Sequence, residues 1–300
     1  MTKTSAPSVN QDSPQGLVLA VMAYVLWGFL PLYLKMLDHV SPAEVVAHRV
    51  IWSIPVAAAV LILMRRTDTL RVAIQNPRML GMACLTAVLI SLNWGIYVYS
   101  ISVGRVADAA LGYYINPLFS MFLGAVLLGE RPNRPQVIAI VLAAIAVLIL
   151  FVLAARPPWV PLGLTVSWGF YAYFKKSLPI GPNQGFLLEV LILSVPAVFY
   201  IVYLSIVGGG NFASVPTDTL LLLGCGVVTA VPLLLYANGA KKIRLSTAGI
   251  LQYIAPSMIF IFAVFVFGEE IDFGRKIAFP LIWLALIIYS SAMLRDMRKT

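Results

Sequence analysis

Apolar runs of about 20 residues recur along most of the chain, and this feature constrains its fold more than any other. A run of that length crosses the hydrocarbon of a bilayer as an α-helix. Of the 300 residues, 61% are hydrophobic and only 11% are charged, and the mean hydropathy is +0.93. Soluble domains carry about 25% charged residues, so this chain cannot cover a water-facing surface. We predict an all-α integral membrane protein.

The boundaries of the apolar runs predict ten transmembrane helices joined by short loops. The predicted spans are 16–37, 43–64, 79–103, 106–128, 136–154, 159–177, 186–207, 218–240, 245–267 and 276–294. The first run is too long for the apolar core of a signal peptide, so we expect it to be retained. Residues 1–15 are predicted to be a disordered tail and residues 296–300 a second short tail. We expect no extramembrane catalytic or nucleotide-binding domain.

Lysine and arginine are distributed unevenly between the loops on the two sides of these spans. The side of the N-terminus carries 15: Lys3, Arg65, Arg66, Arg71, Arg78, Arg131, Arg134, Lys175, Lys176, Lys241, Lys242, Arg244, Arg295, Arg298 and Lys299. The opposite side carries five: Lys35, Arg105, Arg156, Arg275 and Lys276. The positive-inside rule therefore predicts that both termini are cytoplasmic. The net charge of +9 is explained by topology, and we expect no nucleic-acid partner.

An internal repeat relates the two halves of the chain. The segment 114–117 (YINP) recurs 139 positions later at 253–256 (YIAP), and 27–29 (WGF) recurs 141 positions later at 168–170. We therefore divide the chain into repeats at 16–155 and 156–295. Each repeat holds five helices, an odd number, so the second must enter the membrane from the opposite face. Inverted repeats are the architecture of secondary transporters that work by alternating access.

Several longer motifs resemble a known family. They are HRVIWS at 48–53, NW at 93–94, LGYYINPL at 111–118, LLGER at 127–131, GVVTAVPLL at 226–234 and RLST at 244–247. They resemble the RarD family of the drug/metabolite transporter (DMT) superfamily, whose halves are called EamA domains and which includes YddG-like amino-acid exporters. The resemblance covers residues 16–294. It implies a bacterial inner-membrane exporter of small amphipathic metabolites, with amino acids as the first substrate class and no cofactor.

Polar and aromatic side chains within the spans are the candidates for a substrate cavity, because polar groups are costly in a membrane and an amphipathic solute needs apolar walls. The predicted cavity residues are Trp27, His48, Trp52, Asn93, Tyr97, Tyr114, Asn116, Trp168, Tyr171, Tyr236, Gln252 and Tyr253. They place the site at the seam between the repeats, lined by helices 1, 3, 4, 6, 8 and 9. We expect the substrate and the lipid bilayer as partners, and a functional monomer.

Three charged residues, Arg49, Asp108 and Glu189, are candidates for coupling or gating, each with a plainer alternative. Arg49 and its neighbour His48 could bind a substrate carboxylate or form an outer gate, or else be a snorkelling arginine and a hydrogen-bonded histidine. Asp108 could simply cap a helix start. Glu189 could bind a proton or a substrate amine, or pair with one of the lysines at 175 and 176. Helix-end structure is the expected role of Glu130 and Glu269, with gate salt bridges as the alternative.

Prolines occur at matched positions within the spans of the two repeats. Pro55 matches Pro196, and Pro117 matches Pro256. A proline removes a backbone donor and bends a helix. These prolines are either hinges for opening each half or fixed bends that shape the cavity.

Other functional classes fit the chain less well. An intramembrane enzyme would need a nucleophile–base pair or a metal cluster, but the chain has two histidines, His39 and His48, and no His-Glu-x-x-His or Gly-x-Ser-x-Gly motif. A phosphate loop for ATP is also missing. A channel or receptor would favour a polar pore. Within transport, uniport and proton antiport both fit, for amino acids as for drugs or other metabolites.

Overall fold

The computed structural model describes residues 13–63, 70, 74–127, 133–153, 156–177, 180–239, 242–243 and 251–297. Ten helices of eight or more residues lie in these ranges, with no strand among them. They are α1 (Pro14–Lys35), α2 (Pro42–Leu63), α3 (Pro77–Ser102), α4 (Val106–Leu127), α5 (Arg134–Leu153), α6 (Trp159–Ser177), α7 (Pro182–Val207), α8 (Pro216–Gly239), α9 (Ile254–Ile261) and α10 (Phe273–Met297). The predicted all-α class is confirmed.

Seven of these helices are long and apolar enough to cross a membrane by length and composition, counting only the described residues. They are α1, α2, α3, α5, α7, α8 and α10. A chain in lipid must satisfy its backbone groups within each span, which helices do. The fold is therefore that of a multi-pass membrane protein.

Proline marks where several helices begin. Pro14, Pro42, Pro77, Pro182 and Pro216 are the first residues of α1, α2, α3, α7 and α8. Proline suits this position because the N–H that it lacks would have no partner within the helix. The sequence thus encodes short, sharp connections between spans.

Every second loop of the chain lies at the same end of the bundle. We call it the Arg105 end, because Arg105 lies there between α3 and α4. One apolar cluster there contains Val40, Val106, Val160, Phe212 and Phe267. These lie in or next to the loops that follow α1, α3, α5, α7 and α9. Because α1 ends where α6 begins, the two five-helix halves run in opposite directions through the bundle. The predicted inverted architecture follows from this path.

Contacts between the halves repeat when the halves are exchanged. Helix α1 packs against α8 and α9, and α6 packs against the equivalent α3 and α4. Helix α2 packs against α7, and α5 packs against α10. The halves are therefore related by an approximate two-fold axis, with α5 and α10 together at one side.

Helices α8 and α2 approach each other closely at Gly226. A Cβ on Gly226 would overlap the backbone carbonyl of Trp52, so only glycine allows the two backbones to come this near. The contact is extended by Ser53 Oγ, which donates to the Gly226 carbonyl at 3.5 Å. One helical turn away, this approach brings Thr229 against Arg49.

Helix α9 departs from the sequence prediction of an uninterrupted helix over 245–267. Gln252 and Tyr253 form a turn, α9 begins at Ile254, and residues Phe262–Val266 continue it as a π-helix. Pro256 explains the interruption, because it has no N–H to bond to the carbonyl four residues before it. The π-helical turn ends at Val266, and Gly268, two residues later, has a positive φ of 66°.

Some sequence predictions fall on residues outside the described ranges. These residues are Glu130, the predicted first turns of the ninth span at 245–250, and the basic residues Lys3, Arg65, Arg66, Arg71, Arg131, Lys241, Arg244, Arg298 and Lys299.

Candidate functional site

A cavity of about 110 Å³ lies between the two halves. The first half contributes residues from α1, α2, α3 and α4, and the second contributes residues from α6, α8 and the segment that starts at Gln252. The lining residues are Tyr24, Trp27, Leu30, Arg49, Asn93, Trp94, Tyr97, Tyr113, Asn116, Trp168, Leu233, Gln252, Ala255, Pro256 and Ile259. The cavity is thus at the predicted seam, with α2 as an additional wall.

Arg49 is the one charged side chain of this lining. It is only 3% exposed, its Nε donates to Thr229 Oγ1 at 3.0 Å, and its guanidinium lies 4.9 Å from the centre of the Trp94 ring. Its Nη1 has no hydrogen-bond partner among the described residues. No acidic side chain pairs with it in the described part of the chain. A neutral hydroxyl and an aromatic face therefore hold a buried cation.

Two further polar atoms of the lining are buried and have no partner within the described ranges. They are the Tyr97 hydroxyl and Asn116 Oδ1. Buried polar atoms are nearly always hydrogen-bonded in folded proteins, so each exception needs a reason. Together with Arg49 they supply an unused donor, an unused hydroxyl and an unused acceptor in one cavity.

Asn93 lines the cavity and also joins helices. Its Nδ2 donates to the Leu164 carbonyl at 3.1 Å and to Ser167 Oγ at 2.9 Å. Its Oδ1 accepts from the Tyr113 hydroxyl at 3.5 Å. Asn93 therefore has partners on α4 and α6, and its side chain holds α3, α4 and α6 together at the cavity wall.

Aromatic rings form much of the remaining wall. Tyr24, Trp27 and Tyr236 are mutually in contact, with ring centres 5.6 to 5.7 Å apart. Tyr24 and Trp27 face the cavity, whereas Tyr236 supports them from behind. Trp168, from the second half, also lines the cavity, and its ring centre lies 5.6 Å from that of Tyr171. Such walls suit an apolar or aromatic solute.

Six of the twelve predicted cavity residues line it: Trp27, Asn93, Tyr97, Asn116, Trp168 and Gln252. The other six lie elsewhere: His48, Trp52, Tyr114, Tyr171, Tyr236 and Tyr253. His48 faces away from the cavity although Arg49 is next to it, since neighbouring side chains on a helix point about 100° apart. His48 Nδ1 accepts from Trp52 Nε1 at 3.0 Å, and its ring stacks on Phe212 at 4.7 Å.

Tyr114, Tyr171 and Tyr253 are occupied in packing outside the cavity. The Tyr114 hydroxyl bonds to Ser257 Oγ at 2.8 Å, and its ring stacks with that of Tyr253. The Tyr171 hydroxyl donates to Glu189 at 3.2 Å. Their positions depend on the tilt of α4, α6 and α9, which the motif spacing does not give.

Glu189 is 1% exposed and has two partners. Lys175 Nζ lies 2.5 Å from its Oε1, and Tyr171 donates to its other oxygen. The pair joins α6 to α7 within the second half. This is the ion pair with Lys175 that the sequence left open.

Asp108 is the centre of an ion-pair network at the Arg105 end. It is 2% exposed, and it accepts from Arg105 Nε and from Arg275 Nε, each at 2.7 Å. Arg275 also pairs with Asp272 at 2.6 Å. Asp108 therefore ties α4 to α10 across the seam between the halves, and both of its oxygens serve this network.

Glu269 supplies the cap at the start of α4. Its carboxylate accepts from the backbone N–H groups of Val106 at 2.5 Å and Ala107 at 2.9 Å. Burial raises the pKa of the Glu269 carboxyl above its ordinary value. A residue of the second half thus caps a helix of the first, and among the described residues its partners are these backbone groups rather than a gate salt bridge.

The matched prolines of the two halves differ in their position within a helix. Pro55, Pro117 and Pro196 lie inside the continuous helices α2, α4 and α7. Pro256 lies in the first turn of α9 and lines the cavity. The matched pair Pro117 and Pro256 is therefore asymmetric, with an unbroken helix in one half and a turn in the other.

The sequence reasoning missed Tyr24, Trp94, Tyr113 and Thr229 as parts of this site. Tyr24 lies three residues before Trp27 on α1, and Tyr113 lies three before Asn116 on α4, so helical spacing could have found both. Thr229 carried no signal, because a lone threonine in an apolar helix is common.

Known proteins resemble the chain over almost its whole length. The profile of the EamA-like transporter family matches residues 14–152 and 159–291. An uncharacterized transporter from Vibrio cholerae is 40% identical over 94% of this chain and 93% of its own. Protein RarD from Streptomyces exfoliatus is 39% identical over 97% of this chain and 93% of its own.

A crystal structure 20% identical in sequence superimposes with a TM-score of 0.59, covering 93% of this chain and 98% of that one. At this identity the likeness concerns the fold alone, and it extends across both halves. Each of the two profile matches covers all or most of five of the ten helices. The chain belongs to the EamA-like transporter family.

Proposed function

We propose that the chain is a secondary transporter that exports small amphipathic metabolites, amino acids first among them, across the bacterial inner membrane by alternating access. The observation that carries this proposal is the cavity between the inverted halves. Aromatic rings line it, and Arg49, Tyr97 and Asn116 leave polar atoms in it without partners. Aromatic walls with a few polar groups are suited to a small amphipathic solute.

The contacts across the seam support alternating access. Polar contacts join the halves at the Arg105 end. Asp108 pairs with Arg275, and Glu269 caps the start of α4. Glu44 accepts from the backbone N–H of Asn211 at 2.7 Å. These bonds must open if the cavity is to face that side. Since the described cavity belongs entirely to one chain, we also propose that a monomer transports.

The experiment is a flux screen in liposomes. Purified protein is reconstituted with a loaded panel of amino acids and amphipathic drugs, and efflux is measured at two pH values. We expect efflux of at least one amino acid, lost in Tyr97→Ala and retained in Tyr203→Ala. The latter is a matched control because Tyr203 is 58% exposed on α7. Equal flux in both variants would contradict the assignment of the cavity.

Proton antiport is the alternative mechanism, and Glu189 is the residue that could support it. Its carboxylate is buried against Lys175 and Tyr171, and no acidic side chain lines the cavity among the described residues. The scarcity of acids there favours uniport. A flux that rises with an imposed pH gradient, and no longer does so in Glu189→Gln, would establish antiport instead.

A further inference from the structure

The cavity contains a positive charge that the described part of the protein does not neutralise. Burying an ion costs several kcal/mol unless a partner compensates it, and ionisable groups within a membrane protein commonly mark substrate pathways. Arg49 bonds to the neutral Thr229 and lies against Trp94, with Nη1 unpaired. Its local structure does not by itself explain why a cation is kept here.

The buried acids near this part of the bundle already have other partners. Glu44 accepts from Asn211 and Phe212. Glu189 is paired with Lys175, and Asp108 with two arginines. None of the described lining residues is acidic. Among the residues that the structure describes, a solute entering this cavity therefore meets one cation and no carboxylate that could bind an amine.

We propose that Arg49 determines substrate specificity by binding a carboxylate, so that the carboxylate of the solute is required and an ammonium group is not. This proposal rests on the proposed function. Guanidinium groups bind carboxylates with short, charge-assisted hydrogen bonds. The neutral Oδ1 of Asn116 accepts equally from an amine, an amide N–H or a hydroxyl. The substrate class is then apolar or aromatic carboxylic acids with a hydrogen-bond donor nearby.

The test uses four compounds that share a phenyl ring and differ in one group. Phenylalanine and 3-phenyllactate carry the carboxylate, whereas phenylalaninamide and phenylethylamine lack it. Binding is read as the rise in melting temperature of the detergent-purified protein, which does not require transport. We expect both acids to bind, and both amines to bind roughly ten- to a hundredfold more weakly, the range expected for losing a hydrogen bond to a charged group.

Two variants separate the charge from the fold. Arg49→Gln is expected to fold with an unchanged or higher melting temperature, because it removes an uncompensated charge, and to bind acids and amines alike. Arg49→Lys keeps the charge and should keep the preference for acids with weaker binding. Thr229→Val removes the anchor of the guanidinium and should weaken the preference without reversing it.

The outcomes distinguish the two proposals. Acids that bind but are not transported in liposomes would refute the proposed function and leave the role of Arg49 intact. Amines that bind or are transported as well as the acids would overturn the role of Arg49. So would an Arg49→Gln variant that still prefers acids, or wild-type protein that none of the four compounds stabilises at millimolar concentration.

Discussion

The ion-pair network at the Arg105 end predicts that Asp108→Asn will weaken the closed arrangement of the two halves. Asp108 is almost completely buried, and it is bonded to Arg105 and Arg275 at 2.7 Å. Asparagine has nearly the same shape but no charge. The substitution therefore tests the charge of this residue without opening a cavity.

The free-energy cost of this substitution depends on the partners that the guanidinium groups of Arg105 and Arg275 retain. Breaking a buried ion pair by removing one partner costs about 3 to 5 kcal/mol. Arg275 retains Asp272, and Arg105 retains the carbonyl of Pro157 at 2.9 Å, so we expect the lower end, about 3 kcal/mol. That energy shifts an equilibrium by somewhat more than a hundredfold.

The assay is the rate at which a thiol reagent labels a cysteine at Leu30, a cavity position, in a background with Cys84 and Cys225 replaced by serine. Opening at the Arg105 end exposes this position, so Asp108→Asn should raise the labelling rate by up to about a hundredfold. The melting temperature in detergent should fall in parallel.

Asp38→Asn is the matched control. Asp38 pairs with Lys35 at 2.9 Å, but the two side chains are 37% and 39% exposed, and exposed pairs contribute about 0.2 to 1 kcal/mol. If Asp108→Asn changes labelling and melting no more than Asp38→Asn does, the argument from a buried network is refuted.

Four further predictions follow from single contacts. Tyr97→Phe removes a hydroxyl without a partner, so flux should fall while thermal stability stays equal or rises; a fall in both would mean a structural role. Gly226→Ala should lower stability and flux together, since α8 cannot approach α2 as closely, and wild-type melting would contradict this close contact. Glu189→Gln should remove any pH dependence of flux, and unchanged dependence would eliminate it as a coupling site. A cysteine at Ser214 should react with an impermeant reagent on intact cells and one at Gln75 only after permeabilisation; the reverse pattern would invert the proposed topology.

Much of the fold was predictable from the sequence because the membrane imposes simple rules on it. Spans are long and apolar, prolines such as Pro14 and Pro42 begin them, and an odd number of helices in each half forces inversion. The ninth span was the exception. There Pro256 and the π-helical turn at Phe262–Val266 interrupt a run that looks continuous by hydropathy.

The candidate site was predictable in its place but only partly in its residues. The repeat indicated the seam between the halves, and Trp27, Asn93 and Trp168 line the cavity there. His48 was predicted to line the cavity and Arg49 to serve in coupling or gating, yet of the two only Arg49 faces the cavity. Lipid and protein core are both apolar, so the pattern of a membrane helix does not reveal which face turns inward.

By itself, then, the sequence determined the ten spans, their inversion and the family, because hydrophobic length, loop charge and internal repetition are properties of the chain alone. Only the tertiary structure decided how each helix is rotated and which residues meet. The approach of Gly226 to Trp52 places Thr229 against Arg49. Glu44, Asp108 and Glu189 are engaged elsewhere. Among the described residues, Arg49 is left without an acid because of these packing contacts, which join residues far apart in the chain.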